Sequence, residues 1–376
     1  MARVVVAMSG GVDSSVTALL MKQAGHEVIG VFMRHGHQSR PEGGVDSCNA
    51  SERPARKAHR QGCCSADDAA DARRVASMLG IAFYALNFED AFEPIIEQFV
   101  QEYASGRTPN PCVRCNTHLK FGRLWQYAQA VEADYIATGH YARLIPGPEG
   151  PELHRGQDAA KDQSYVLFGV NRERLGRVLL PVGCFEKARI RELARDAGLP
   201  VGDKPDSYEI CFVTAGHYAE LVRERAPQAF EPGPIVEAGS GRVLGEHRGL
   251  PSYTVGQRHG LGVSAAEPLY VTEINVRGNR LIVGRKPQTL RSRVHCGEAN
   301  WLSISPPVSG CRVYCQVRSN GAAHAGRIEL VDAAATAFCI AFDEPAPSVA
   351  PGQAAVVYDA QQPSRVLGGG WIERAE

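Results

Sequence analysis

The chain has 376 residues, 44% of them apolar, with Lys plus Arg and Asp plus Glu balanced at 41 each. That length allows two or three domains with real cores, and the neutral balance excludes a globally basic nucleic-acid binder, so any basic surface must be local. No apolar run approaches the roughly 20 residues of a membrane helix, and residues 4–8 run straight into Ser-Gly-Gly, so a cytoplasmic protein without membrane contact is expected.

In chain order, residues 3–8 predict a buried strand and 13–24 the helix after it. HEVIGVFM (26–33) predicts a second strand, 65–79 an amphipathic helix closed by Gly80, and IAFYALNF (81–88) a third strand. Helices over 90–105 and 117–131 and a strand at ADYIATGH (133–140) follow. Strands alternating with helices predict an α/β fold with a doubly wound parallel sheet, whose ligands sit at the carboxyl ends of the strands. Residues 34–61 break the pattern; the segment is polar, rich in Gly, Ser, Arg and His, and predicts a mobile loop near that edge. After about residue 205, short β-like runs appear (YTVGQ, PLYVTEIN, RLIVGR). From about 290, VHCGEANWL, CRVYCQVRS, HAGRIELVD, AFCIAFD and AAVVYD predict strands of a small antiparallel barrel.

The first strand and helix are joined by SGGVDSS (9–15). Glycines let a backbone approach an anion with its N–H groups turned outward, Ser9, Ser14 and Ser15 add hydroxyls, and a helix N-terminus favours negative charge. No lysine stands where G-x-x-x-x-G-K-[ST] would put one, which argues against ordinary γ-phosphate transfer. Asp13 needs a cation to meet phosphate, so Mg²⁺ between Asp13 and phosphates is expected. The stretch resembles the PP-loop of the N-type ATP pyrophosphatases, which implies cleavage of ATP to AMP and pyrophosphate and adenylation of an oxygen.

The eleven cysteines are an odd number, unlike a secreted disulfide framework. Cys184, Cys296, Cys311, Cys315 and Cys339 lie in apolar or strand-like surroundings and are expected to be small buried hydrophobes. Cys112 and Cys115 of TPNPCVRCN (108–116) are three apart, so both thiols can face one point near a helix start, where a thiolate is favoured. Cys211 sits in an apolar run within DSYEICFV (206–213). Alone, the C-x-x-C suits a zinc half-site or a redox pair, with Cys63, Cys64 or a loop histidine as a further ligand.

Taken together, AMSGGVDSS, VFM (31–33), LGI (79–81), TPNPCVRCN, LKFG (119–122), ATGHYAR (137–143), KDQSYVL (161–167), LPVG (180–183), PDSYEICFV, GLPSYTVGQRHGLG (249–262), PLYV (268–271), PGQAAVVYD (351–359) and LGGGWI (367–372) resemble the bacterial tRNA-specific 2-thiouridylases over nearly the whole chain. The resemblance implies a PP-loop ATPase domain over 1–208, a small central domain over 209–288 and a C-terminal antiparallel β-barrel over 289–376. It implies ATP-dependent adenylation of O2 of the wobble uracil of tRNA, then attack of sulfur at C2. Cys211 would carry a persulfide received from a sulfur-relay or cysteine desulfurase protein, and Cys115 would release the sulfur by closing a Cys115–Cys211 disulfide.

By the same resemblance Ala7, Met8, Ser9, Gly10, Gly11, Val12, Asp13, Ser14, Met33 and Gly139 would contact ATP. Asn110, Pro111 and Cys112 would face the target base. His140, Lys161, Asp162, Gln163, Arg318, Ser319 and Gln353 would touch tRNA. Many members have an aspartate where this chain has Cys112; the extra thiol raises a second route, in which Cys112, Cys115 and Cys211 ligate a [4Fe–4S] cluster that carries hydrosulfide. Cys63-Cys64 stands where a single cysteine is usual and is assigned no role. A PP-loop carbon–nitrogen ligase and a non-catalytic tRNA-binding or iron–sulfur carrier are the competing readings.

Overall fold

The structure, a computed structural model, describes residues 1–36, 66–206, 210–213, 218–303 and 305–376. Most of the polar insertion, with Cys63 and Cys64, lies outside the described residues.

The N-terminal part holds strands β1 (Arg3–Ala7), β2 (Glu27–Arg34), β3 (Ala82–Asn87) and β4 (Tyr135–Ala137), a hairpin of β5 (Ala142–Gly147) and β6 (Gly150–Arg155), and β7 (Val178–Leu179). Five of them form a parallel sheet in the order β3-β2-β1-β4-β7. Side chains alternate along β1. Val4, Val6 and Met8 enter one hydrophobic cluster, and Val5 and Ala7 another. Both faces are covered, so the strand reads as one continuous apolar run.

The helices are α1 (Val12–Gln23), α2 (Ala66–Leu79), α3 (Glu89–Ala104), a continuous helical run of α4 (Pro111–Arg114), a π-helical stretch (Cys115–Arg123) and α5 (Leu124–Ala130), then α6 (Lys187–Asp196) and α7 (Tyr218–Arg225). Helices α1, α2 and α6 pack on one face of the sheet; α3, the run through α5, and α7 pack on the other. The helix expected from 117 thus starts at Pro111. Proline suits a first helical position, and Asn110 Oδ1 accepts the Val113 N–H at 3.3 Å. The chain moves outward from β1 through β2 to β3, then crosses to β4 on the other side of β1. The crevice at that reversal lies between the loops that follow β1 and β4, where an open α/β sheet binds its ligands.

A four-stranded sheet follows, ordered β10-β11-β8-β9, from β8 (Gly233–Glu237), β9 (Val243–His247), β10 (Tyr270–Asn275) and β11 (Arg280–Gly284). YTVGQ (253–257) is a turn rather than a strand, because Gly256 has φ +87° and a side chain there would collide with Ser348. The C-terminal part closes into a barrel, β12-β15-β14-β13-β16-β17, from β12 (Leu290–Trp301), β13 (Arg312–Gln316), β14 (Ala323–Leu330), β15 (Phe338–Pro347), β16 (Ala354–Asp359) and β17 (Val366–Ala375). Its strands pair antiparallel. Glycines 368–370 look like a loop, yet they lie in β17: a Cβ at Gly369 would stand 2.9 Å from the Phe168 ring and one at Gly370 2.9 Å from Phe338. Cys296, Cys315 and Cys339 are buried as expected, whereas Cys184, at the end of a short turn of helix, is exposed. Among the described residues no helix is long and apolar enough to cross a membrane.

Barrel and N-terminal part share one hydrophobic cluster that includes Phe121, Phe168 and Tyr165 from the first and Tyr358, Val366 and Trp371 from the second. Phe168 is 1% exposed, meets Trp371 edge-on at 6.1 Å, and its carbonyl accepts the Asn300 amide at 2.6 Å. Phe168→Ala is expected to lower the unfolding free energy by about 3–5 kcal/mol, measured from denaturant midpoints. A shift near zero would show that the two parts hold together without this ring.

Candidate active site

The loop after β1 is a closed hydrogen-bonded turn. Ser14 Oγ accepts the Ser9 N–H at 3.0 Å and donates to the Gly11 carbonyl at 3.2 Å; Ser15 Oγ donates to the same carbonyl at 2.8 Å. Ser14 and Ser15 are buried, so their hydroxyls shape the loop. Gly10 has φ +76°, and a Cβ there would lie 2.2 Å from the Asp68 carbonyl oxygen at the start of α2. Gly139, in the loop after β4, stands so close that a Cβ would lie 2.8 Å from the Ser14 nitrogen. Gly11 caps α1 with no side-chain hydrogen bond, which leaves the first N–H groups of the helix for an anion. Ala7 ends β1, and the Met8 N–H donates to Val31 at 2.8 Å, which ties the loop to the strand that carries Met33.

Charge converges on this loop from distant segments. Lys187, the first residue of α6, sets Nζ 2.7 and 2.8 Å from the two Asp13 oxygens. The Tyr141 hydroxyl donates to Asp13 Oδ1 at 2.7 Å, and burial followed by the Asp13 charge pushes its pKa well above the ordinary phenol value. Lys187 Nζ also lies 2.8 Å from Asp206, and Lys161 and Arg191 reach the same carboxylate, each at 2.8 Å. Burial alone would raise the Asp206 carboxyl; the hydrogen bonds and charges of Lys161 and Lys187 outweigh it and hold the group below the ordinary carboxylate range. Lys204 clamps the other side, donating to the Gly10 carbonyl at 3.0 Å and pairing with Asp68 at 2.7 Å and Asp71 at 2.6 Å.

The missing P-loop lysine is therefore supplied in space by α6. Sequence reading missed Lys187, Lys204, Tyr141 and Asp206. One signal existed for Lys187: a cation in the first turn of a helix opposes the helix dipole, so its stability must come from a tertiary partner.

The thiols divide. Cys115, at the start of the π-helical stretch, and Cys211 both pack, half-buried, against one hydrophobic cluster, together with Met33 and around Phe99 and Phe212. Phe212 meets Phe92 at 5.6 Å and Phe99 at 5.1 Å, each edge-on. Cys112 is exposed on the first turn and does not join that cluster. The eight described cysteines are all in the thiol form. Among the described residues no three or more Cys, His, Asp or Glu side chains are gathered closely enough to hold a metal ion. Cys112, Cys115 and Cys211 therefore do not form the ligand set that a [4Fe–4S] cluster would need. Mg²⁺ differs, because it is satisfied by one carboxylate together with substrate phosphates, and half-exposed Asp13 offers that carboxylate beside the open helix start.

The residues expected at RNA are mostly fastened inside the molecule. His140 is buried between Thr138 (2.7 Å) and Lys120 (3.4 Å); burial and then the Lys120 charge lower its pKa well below the usual value, so it is neutral at neutral pH. Gln163 Oε1 accepts the Tyr141 N–H at 2.9 Å, Lys161 holds Asp206, and Asp162 pairs with Arg155 at 2.8 Å. Gln353 donates to the Thr108 and Pro109 carbonyls at 3.1 and 3.0 Å, linking the barrel to the loop before Asn110 and Pro111. Arg318 donates to the Val255 carbonyl at 3.1 Å, and the Ser319 carbonyl accepts from Gln316 at 2.9 Å.

A family profile described as a tRNA methyl transferase HUP domain matches residues 2–215; a PRC-barrel domain profile matches 220–285 and an aminomethyltransferase β-barrel profile 291–372. The chain is 48% identical to the tRNA-specific 2-thiouridylase MnmA of Rhodopirellula baltica, across 100% of this chain and 97% of that one. It is 46% identical to the protein of that name from Sphingopyxis alaskensis (99% and 91% covered) and 43% identical to that of Chloroflexus aurantiacus (100% and 99%). The chain belongs to the tRNA-specific 2-thiouridylase family.

For this 2-thiouridylase family member the electrostatics of Asp206 give a signed expectation. Its folded pKa is lowered, so folding is favoured by its ionised form: the contribution is full above the ordinary value of about 3.9 and is lost as pH falls through the lowered one. In denaturant melts across pH, Asp206→Asn is expected to be less stable than wild type near neutrality, with the gap closing in acid. A gap that is constant with pH would contradict the assignment.

Proposed function

We propose that this protein is an ATP-dependent tRNA-uridine 2-sulfurtransferase. The observation that carries the reading is the meeting of two reactive segments at one crevice: the SGGVDSS loop, bridged by Lys187 to Asp206, and the Cys211 segment that Asp206 begins, with Cys115 on the same hydrophobic cluster as Cys211.

In this reading the glycine backbone and the α1 N-terminus bind the triphosphate of ATP, aided by Lys187. Mg²⁺, when bound, would bridge Asp13 and the phosphates and neutralise the departing pyrophosphate. The wobble uracil, splayed out of the single-stranded anticodon loop, lies near Asn110, Pro111 and Cys112. Its O2 attacks the α-phosphorus, and pyrophosphate leaves. A persulfide on Cys211, delivered by an upstream sulfur-relay or cysteine desulfurase protein, attacks C2, and AMP departs with the former O2. The Cys115 thiolate then attacks the Cys211 sulfur, which forms a Cys115–Cys211 disulfide and leaves the second sulfur on the base. A thiol reductant resets the pair. His140, Lys161, Asp162, Gln163, Arg318, Ser319 and Gln353 act on tRNA largely by holding the surfaces that meet it, since their polar groups are engaged in the contacts described above.

Nucleoside digestion of tRNA from cells lacking this protein is expected to show loss of 2-thiouridine derivatives, restored by the wild-type chain. Cys115→Ser and Cys211→Ser are each expected to lower thiolation about a thousandfold or more while tRNA-dependent pyrophosphate release continues. Full thiolation by either variant would contradict the sulfur route, and full activity on RNA without thiolation would favour a carbon–nitrogen ligase.

A further inference from the structure

We propose that Lys187 is an interlock, a positioning residue that couples occupancy of the SGGVDSS loop to the setting of the Cys211 segment. The inference rests on the reading of that loop as a site for Mg²⁺ and ATP. One ammonium contacts both Asp13 oxygens, at 2.7 and 2.8 Å, and Asp206 at 2.8 Å. Asp13 belongs to the loop that would grip the nucleotide. Asp206 opens the segment that carries Cys211, five residues on. Five residues span at most about 17 Å when extended, so a displacement of Asp206 is felt at Cys211.

The far end of that segment is fixed differently. Phe212 is wedged between Phe92 and Phe99. The Cys211 segment therefore has one end held by charge and the other by packing. Only the charged end can respond to a ligand, because packed rings have few alternative arrangements.

A divalent cation and an ammonium compete for the same carboxylate, since their like charges repel. Asp13 already accepts twice from Lys187 and once from Tyr141. A Mg²⁺ ion entering with the nucleotide takes the place of Lys187 on Asp13. The backbone of Lys187 stays put, held by its N–H on Asp158 Oδ2 at 3.0 Å, so the movement is confined to the flexible side chain. Lys161 and Arg191 keep Asp206 ionised in both settings. The segment is reset rather than released. The chemical consequence is economy of sulfur: the Cys211 thiol is presented differently when the nucleotide is bound than when it is not.

The test is the rate at which iodoacetamide alkylates Cys211, read by mass spectrometry of its peptide, with and without saturating Mg²⁺ and α,β-methylene-ATP. Binding of the analogue is measured in parallel by calorimetry. Wild type is expected to show a change in rate of about fivefold or more on binding. Lys187→Met and the sterically milder Asp206→Asn are expected to bind the analogue but to bring that ratio close to one. A merely structural role would alter the two rates together and leave the ratio unchanged. A wild-type ratio near one despite binding, or a wild-type-like ratio in Asp206→Asn, overturns the interlock. Failure of wild type to bind the analogue at all would instead remove the ATP reading of the loop, and the interlock with it.

Discussion

A single buried ammonium joins the two chemical halves of this molecule. Lys187 is 9% exposed, and its contacts with Asp13 and Asp206 tie the loop after the first strand to a segment some 190 residues later in the chain. At an effective dielectric of about 20 each close contact amounts to several kcal/mol of attraction, against a desolvation cost of similar size. Such a cluster adds little net stability. It fixes geometry, because removal of one partner leaves the others buried without compensation. Tyr141 and Lys204 extend the same arrangement around the loop, so the glycine turn is held from both sides before any anion arrives.

The surrounding fold explains how such distant residues meet. The parallel sheet reverses direction between β1 and β4, and that reversal opens a crevice at the strands' carboxyl ends. Gly10 and Gly139 let the loop, α2 and the β4 exit approach to within contact distance, which any side chain would prevent. On the opposite face of the sheet, the π-helical stretch, α3 and the Phe212 segment share a cluster. A π-helical stretch is rare and tends to mark functional positions, and this one begins at Cys115. The barrel is part of the same body: Gln353 grips the carbonyls before Asn110, and Phe168 packs on Gly369 and Trp371.

Much of this was legible in the amino-acid order, and what escaped did so for physical reasons. The alternating strands and helices of the first part followed from apolar period and caps. The anion loop was legible because its chemistry is contiguous, in seven adjacent residues. The barrel strands were legible except β17, whose three glycines mimic a loop; in the barrel they make room for Phe168, Trp301 and Phe338. Lys187 and Lys204 escaped because an isolated lysine reads as a solvated surface residue, and only the fold brings Asp13, Asp68, Asp71 and Asp206 to them. His140, Gln163 and Asp162 read as surface groups, yet their hydrogen bonds are internal. The three-thiol cluster was suggested by residue type alone; exposed Cys112 points away from that arrangement once the helix is in place.

The central claim is that both halves act on one pyrimidine, the loop by adenylating O2 and the thiols by replacing it. Oxygen-18 at C2 of the wobble uridine tests it in one turnover. The account predicts that the heavy oxygen appears in AMP, one atom for each 2-thiouridine formed. AMP free of the label, alongside thiolated product, would contradict it.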